Sequence, residues 1–241
     1  MINFKANQYG GYLFSKYENL NSSNSNYFLS FDNGFLHLSG NGTNVFDFGE
    51  VYLNQWYHLA LVFEGDNTVN TYIDGEFVGN GQLNMASSTS SAPLLIGKPV
   101  NIDDNINYFN GKIDNFSIWN VALTQEQIQD HMVLSLDNEV EGVLGYWNFD
   151  EGKGDITNDQ SGGNNTGTLN NMTKESWVNS NIPLYFSIPE NPTVGSKIAT
   201  IPFGDPDPGD TVTLTLSGTD AASFEISQSG ELTLASTATI D

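Results

Sequence analysis

The sequence contains no cysteine and no arginine. Without cysteine there is no disulfide framework and no thiol for nucleophilic or redox chemistry, and the redox compartment stays open. Positive charge is scarce: seven lysines face 29 aspartates and glutamates, for a formal net charge of −22. A chain this acidic repels phosphate backbones, which argues against nucleic acid as a partner. Long apolar runs are missing as well. None approaches the roughly 20 residues that a membrane-crossing helix requires, and no basic-then-apolar leader opens the chain, so a secretion signal or anchor is expected outside it. The three histidines, His37, His58 and His131, fall on separate segments with no second ligand at metal spacing, and each reads as structural or exposed.

What is present is a β pattern, centred on Asn54 to Gly79, NQWYHLALVFEGDNTVNTYIDGEFVG. From Trp56 to Phe63 apolar and aromatic residues occupy both alternating faces, the pattern of a central strand covered on both sides. After the turn-rich Glu64-Gly65-Asp66-Asn67, Val69, Thr71 and Ile73 alternate with Asn70 and Tyr72 as a half-buried strand does. Asp74-Gly75 predicts a tight type I′ hairpin, in which glycine supplies a positive φ, and Phe77-Val78 resumes the pairing. Upstream, Tyr27 to Phe31 and Phe35 to His37 flank the turn Asp32-Asn33-Gly34, and Val45 to Phe48 continues an antiparallel meander.

Between Asn80 and Ser91 the chain is rich in Ser, Asn, Gly and Thr and reads as a long surface loop, after which Pro93 to Gly97 restarts a strand. One helix is predicted over Thr124 to Leu136. Thr124 with Gln127 three residues on makes a capping box, and Ile128 and Met132 give an apolar stripe. His58 shares a strand face with Trp56 and Ala60, which predicts a packed, hydrogen-bonded role. Leu144 to Phe149 is a further strand, followed by an exposed turn over Asp150 to Asp155.

Several of these motifs, in this order, carry a resemblance. The Trp-Tyr-His-Leu-Ala strand, the Tyr-Ile-Asp-Gly hairpin, Leu95-Ile96-Gly97, Phe109 to Asp114 with Ile118-Trp119, and Gly145 to Phe149 resemble a laminin-G-like (concanavalin A-like, pentraxin-related) domain. Ser161 to Leu169 and Trp177 resemble that family's terminal loop and last strand, which sets the domain at residues 1–178. The resemblance implies an all-β fold, an antiparallel jelly-roll β-sandwich with one short helix. It implies a fold more than a function, since jelly rolls serve lectins, adhesion modules and some glycosidases alike. Met1 to Tyr17 is similar to the third or fourth strand of the family rather than its opening, so the N-terminal strands are expected to be missing and a sheet edge unpaired. In pentraxin-like relatives the region after the Ile-Gly strand contributes calcium ligands, which puts Asp103 and Asp104 forward. Pro99 and Val100 stand where ligands are expected, and a plain solvated acidic loop is the competing reading.

At residues 179–183 the composition shifts to a linker, and residues 184–241 resemble the first half of a bacterial cadherin-like domain, a partial Ig-like sandwich. Strands are expected near Ile198 to Ile201, Val212 to Ser217, Phe224 to Ile226 and Glu231 to Leu234. Pro189-Glu190-Asn191 is similar to that family's glutamate motif and Asp205-Pro206-Asp207 to its Asp-x-Asp motif. The resemblance implies calcium at domain junctions, with Asp205 and Asp207 facing the jelly roll, Glu190 the opposite junction, and Asp241 opening an Asp-x-Glu motif whose glutamate is absent. Calcium takes roughly six to eight oxygens, so no complete site assembles from these residues alone, and a proline-rich turn held by Asp205 and Asp207 is the alternative.

Asp150 and Glu151 adjoin, but glycoside hydrolysis needs two carboxylates facing one sugar, and neighbours on a strand point to opposite faces. The expectation is therefore a non-catalytic adhesion module, secreted or on a cell surface, within a longer multidomain chain. It would bind a glycan or a cell-surface protein, with Tyr9 and Tyr108 as loop aromatics able to stack on sugar rings. A structural spacer and an accessory domain of a polysaccharide-degrading enzyme are the rival readings.

Overall fold

The computed structural model describes residues 1–16, 27–40, 44–83, 92–98, 108–133, 140–178, 180, 182, 193–200, 216 and 221–236. The chain forms two compact units, one of residues 1–128 and 136–183 and one of residues 129–135 and 184–241.

The first unit is built on two five-stranded antiparallel sheets. One has the order β10 (Gly111–Asp114), β1 (Ile2–Ala6), β6 (Trp56–Phe63), β7 (Thr68–Ile73), β8 (Glu76–Gln82). The other has the order β5 (Asn44–Glu50), β4 (Phe35–Gly40), β3 (Tyr27–Asp32), β2 (Tyr12–Lys16), β9 (Leu94–Ile96). One continuous core, including Phe4, Leu13, Leu29, Phe31, Leu36 and Leu59, draws on both sheets, as expected of a β-sandwich. Among the described residues four short strands join these sheets: β11 (Phe116–Trp119) pairs with β12 (Val143–Trp147), and β13 (Ile156–Thr157) with β14 (Gly167–Thr168).

Strand β6 shows why both of its faces are apolar. Leu59 belongs to the core between the sheets, whereas Ala60 and Val62 join a second buried cluster with Leu123 and Ile128. Ile128 lies on the helix α1 (Gln125–Val133). The helix starts where the capping box places it: the Thr124 backbone N–H donates to Gln127 Oε1 at 2.9 Å and the Gln127 N–H donates to Thr124 Oγ1 at 3.2 Å. At the β7–β8 hairpin, Asp74 and Gly75 have φ of 50° and 79°, as a type I′ turn requires.

Two expectations need correction. The surface loop expected from Asn80 is strand as far as Gln82, and Leu83 is fully buried beyond it. The exposed β8 lies at a sheet edge and is held by backbone pairing to β7, so its polar sequence masks it. His58 is buried and its backbone N–H donates to Asp74 Oδ1 at 2.7 Å, but its ring Nδ1 has no hydrogen-bond partner among the described residues.

The loop between β13 and the segment leading to β14 is organised by one carboxylate. Asp159 accepts the N–H groups of Tyr146, Ser161 and Asn165, together with the Ser161 hydroxyl and the Asn165 amide. Burial pulls its pKa upward, but these donors outweigh it and hold the carboxyl at about 2.

The second unit contains a three-stranded antiparallel sheet with the order β15 (Lys197–Thr200), β17 (Glu231–Leu234), β16 (Phe224–Ile226). Among its described residues, Leu232, Leu234 and Ala235 are the buried apolar ones. The Ser227–Gly230 turn joins β16 to β17, with the Glu231 N–H donating to Ser227 Oγ at 3.0 Å. The strand expected over Val212 to Ser217 lies outside the described residues except at residue 216.

Candidate ligand-binding site

At one end of the sandwich four loops are locked together by their backbones. The Asn7 N–H donates to the Asn110 carbonyl at 2.9 Å, Phe31 to Gly11 at 2.9 Å, Val51 to Gly34 at 2.8 Å and Asn54 to Ala6 at 2.7 Å. At Gly11 two of these loops approach closely. This glycine has a φ of 106°, and a Cβ there would sit 2.7 Å from both the Tyr108 carbonyl oxygen and Phe109 Cα, so only glycine lets the two loops meet.

Three tyrosines stand on this frame, Tyr9, Tyr52 and Tyr108, exposed at 45%, 51% and 52%. The Tyr9 ring rests on Phe31 with centroids 5.6 Å apart. Lys98 Nζ lies 6.0 Å from the Tyr108 ring centroid, and Tyr108 bridges to Tyr12. The Tyr52 hydroxyl bonds to Glu50, and that bond and the Glu50 charge push its pKa up. Tyr52 and the buried Tyr57 are tied as well, since the Tyr52 N–H donates to Tyr57 Oη at 3.0 Å, which in turn donates to Gln55 Oε1 at 3.1 Å. Around the tyrosines lie exposed amides: Asn110 Nδ2 donates to Gln8 Oε1 at 3.4 Å, and Asn7, Asn33 and Asn54 face solvent. Flat apolar faces on a rigid frame, rimmed by donors and acceptors, are what a ligand with apolar ring faces and a hydroxyl periphery requires.

Tyr9 and Tyr108, the two aromatics picked out from the sequence, thus belong to the same set of loops. Tyr52 was missed, although its place between Glu50 and the Trp56 strand marks it as a loop aromatic. The six candidate calcium ligands, Asp103, Asp104, Glu190, Asp205, Asp207 and Asp241, all lie outside the described residues. Among the described residues no three His, Cys, Asp or Glu side chains converge as a metal site would need.

A family model described as the concanavalin A-like lectin/glucanases superfamily, of the laminin G type, matches residues 2–129. The chain belongs to this superfamily. Among solved structures, a candidate carbohydrate binding protein from Bacteroides ovatus ATCC 8483 is similar over 70% of this chain and 52% of its own, with a TM-score of 0.53 and 17% identity. At that identity the likeness speaks for the concanavalin A-like fold, and the chain spans about half the length of that protein. An S-layer domain-containing protein from Clostridium thermocellum ATCC 27405 is 24% identical over 50% of this chain and 61% of its own, with a TM-score of 0.26. No curated protein matches the chain.

The superfamily's name covers both lectins and glucanases, so the adjacent Asp150 and Glu151 bear on which side this member falls. Asp150 Oδ2 accepts from Asn148 Nδ2 at 2.8 Å, whereas Glu151 Oε1 accepts the Asn158 N–H at 2.7 Å. Glu151 Oε2 is buried without a hydrogen-bond partner among the described residues. Asp114, buried near Asp150, is pushed up to about 6, by burial first; the Ser180 hydrogen bond opposes the shift and the Asp150 charge adds to it. The matched residues 2–129 include the tyrosine frame but not Asp150 or Glu151.

Proposed function

We propose that this chain is a non-catalytic carbohydrate-binding module of a secreted or cell-surface protein, and that Tyr9, Tyr52 and Tyr108 form its sugar-contacting face. The observation that carries the proposal is the set of three exposed tyrosines on backbone-locked loops with amides beside them. The similarity in fold to a candidate carbohydrate binding protein supports it. With a formal charge of −22 the module favours neutral glycans over polyanionic ones.

Affinity electrophoresis and calorimetry against a panel of neutral polysaccharides test the reading. At least one should bind, and Tyr9→Ala or Tyr108→Ala should each weaken it about 5- to 10-fold, the worth of one aromatic contact. Phe77→Ala, on the exposed edge strand β8, should bind as the parent does. A panel without a binder, or tyrosine variants that bind unchanged, would sink the proposal.

For residues 184–241 we propose part of a cadherin-like domain, supported by the antiparallel order β15-β17-β16 and the Pro189-Glu190-Asn191 and Asp205-Pro206-Asp207 motifs. Calcium at Asp205 and Asp207, or in the Asp103-Asp104 segment that leads into Tyr108, remains part of this proposal, as does adhesion to a neighbouring cell or matrix.

A further inference from the structure

The tyrosine rim continues onto the outer face of the second sheet. Along β4, Leu36 and Leu38 are buried in the core, whereas Phe35 and His37 point to the opposite face, and Phe35 is exposed at 44%. Strand pairing sets a carboxylate on each side of that ring. Asp32 of β3 and Glu50 of β5 are the register partners of Phe35, and both are exposed. Directly opposed residues share a face, so Phe35 stands between two carboxylates whose strands lie about 10 Å apart.

Glu50 reaches this face through a bulge. Asp47 pairs with His37 and Phe48 with Leu36, so strict alternation would match Gly49 to Phe35 and turn Glu50 inward. The register instead shifts by one and pairs Glu50 with Phe35. Gly49 is the extra residue, with a φ of 63°, and a Cβ there would collide with Ile73 Cδ1. The bulge thus re-aims one charged side chain beside an exposed ring, as bulges next to functional sites do.

The same carboxylate belongs to the rim, because the Tyr52 hydroxyl bonds to it. Between them the Val51 N–H donates to the Gly34 carbonyl at 2.8 Å, and a Cβ on Gly34 would lie 3.9 Å from Tyr9 Cε1. Tyr9, Tyr52, Glu50 and Phe35 are therefore gathered around one turn. Asp32 Oδ2 accepts only the neighbouring Asn33 amide, at 3.1 Å, and His37 is engaged with Asp47. All seven lysines are among the described residues, and none pairs with Asp32 or Glu50; Lys98 sits against Tyr108.

Resting on the carbohydrate reading above, we propose that Asp32 and Glu50 are specificity-determining residues, which make the Tyr52–Phe35 end of the rim select sugars that carry a protonated amino group. The ring faces of Tyr9, Tyr52 and Phe35 hold the apolar face of the sugar and attract the ammonium through their π electrons, while the carboxylates accept its N–H donors in charge-assisted hydrogen bonds. A neutral sugar uses the same rings and leaves the carboxylates to water. The overall charge of −22 draws such a cation toward the surface, and the two carboxylates fix where it docks.

Calorimetry with β-1,4-linked oligomers of glucosamine, N-acetylglucosamine and glucose, equal in length, tests the proposal, since the three differ only at C2. In buffer acidic enough to protonate the amine, the glucosamine oligomer should bind about tenfold more tightly than the other two. Glu50→Gln, which can still accept the Tyr52 hydroxyl, and Asp32→Asn should each cut that preference about threefold or more and leave the neutral oligomers unaffected. Glu126→Gln removes the same charge from an exposed position on α1 and should keep the preference. If it cuts the preference as deeply as Glu50→Gln does, the effect belongs to the net charge and the proposal is overturned. Equal binding of the three oligomers, or no binding of the glucosamine oligomer, overturns it as well. The carbohydrate reading itself stands or falls on the neutral panel and the Tyr9 and Tyr108 variants, so the two failures are told apart.

Discussion

At the residue scale, two buried ionisable groups set opposing acid responses. His58 is held at about 3, chiefly by burial, against an ordinary value of 6.5. Between those values the unfolded chain carries a proton that the folded chain refuses, so stability falls as pH drops from about 6.5 toward 3, with a slope of up to about 1.4 kcal/mol per pH unit. Asp114 acts in the other direction, because its raised value of about 6 lets the folded chain take up a proton before the unfolded chain does, between about pH 6 and 4. The outcome is checked by urea unfolding at pH 7 and pH 5. His58→Leu should shrink the loss of stability on acidification, and Asp114→Asn should enlarge it. If both variants keep the parent's pH slope, the two groups titrate in the fold as they do in the open chain.

At the scale of single elements, the helix α1 offers the cleanest test, since it covers Ala60 and Val62 on β6 and begins at a reciprocal cap. Thr124→Ala removes an acceptor for the Gln127 N–H and should cost about 1 kcal/mol in urea unfolding. Thr124→Ser, which keeps the oxygen, should cost a few tenths at most. The same elements show what the sequence makes legible. The β6 run was readable because both its faces are apolar, and the Asp74-Gly75 turn and the Thr124–Gln127 cap were readable because short spacing alone determines them. Strand β8 beyond Val78 was hidden, since Gly79, Asn80, Gly81 and Gln82 pair through backbone at an edge and need no apolar side chain. The tyrosine rim was half-legible: Tyr9 and Tyr108 stand 99 positions apart in the chain, and the close approach at Gly11 and the Asn7–Asn110 hydrogen bond bring their loops together. No local pattern encodes that meeting, because it is a property of strand order.

At the scale of the whole molecule, the charge of −22 is the dominant long-range term. Seven lysines cannot neutralise 29 carboxylates, so the folded chain repels itself, and salt screening should stabilise it. Calcium adds a distinct prediction, because an ion that binds only the folded form raises the unfolding midpoint beyond what screening supplies. Thermal unfolding in calcium chloride should therefore exceed that in sodium chloride of matched ionic strength, and a chelator should erase the excess. Asp205→Asn should remove it if the ion sits at the second unit's Asp-x-Asp motif, whereas Asp103→Asn should do so if it sits in the segment leading to Tyr108. Loss through Asp103 would place the ion a few residues from the tyrosine rim, and glycan binding should then weaken in chelator as well. Equal midpoints in the two salts would mean that the carboxylates act only as diffuse charge, and that glycan binding at the rim needs no metal.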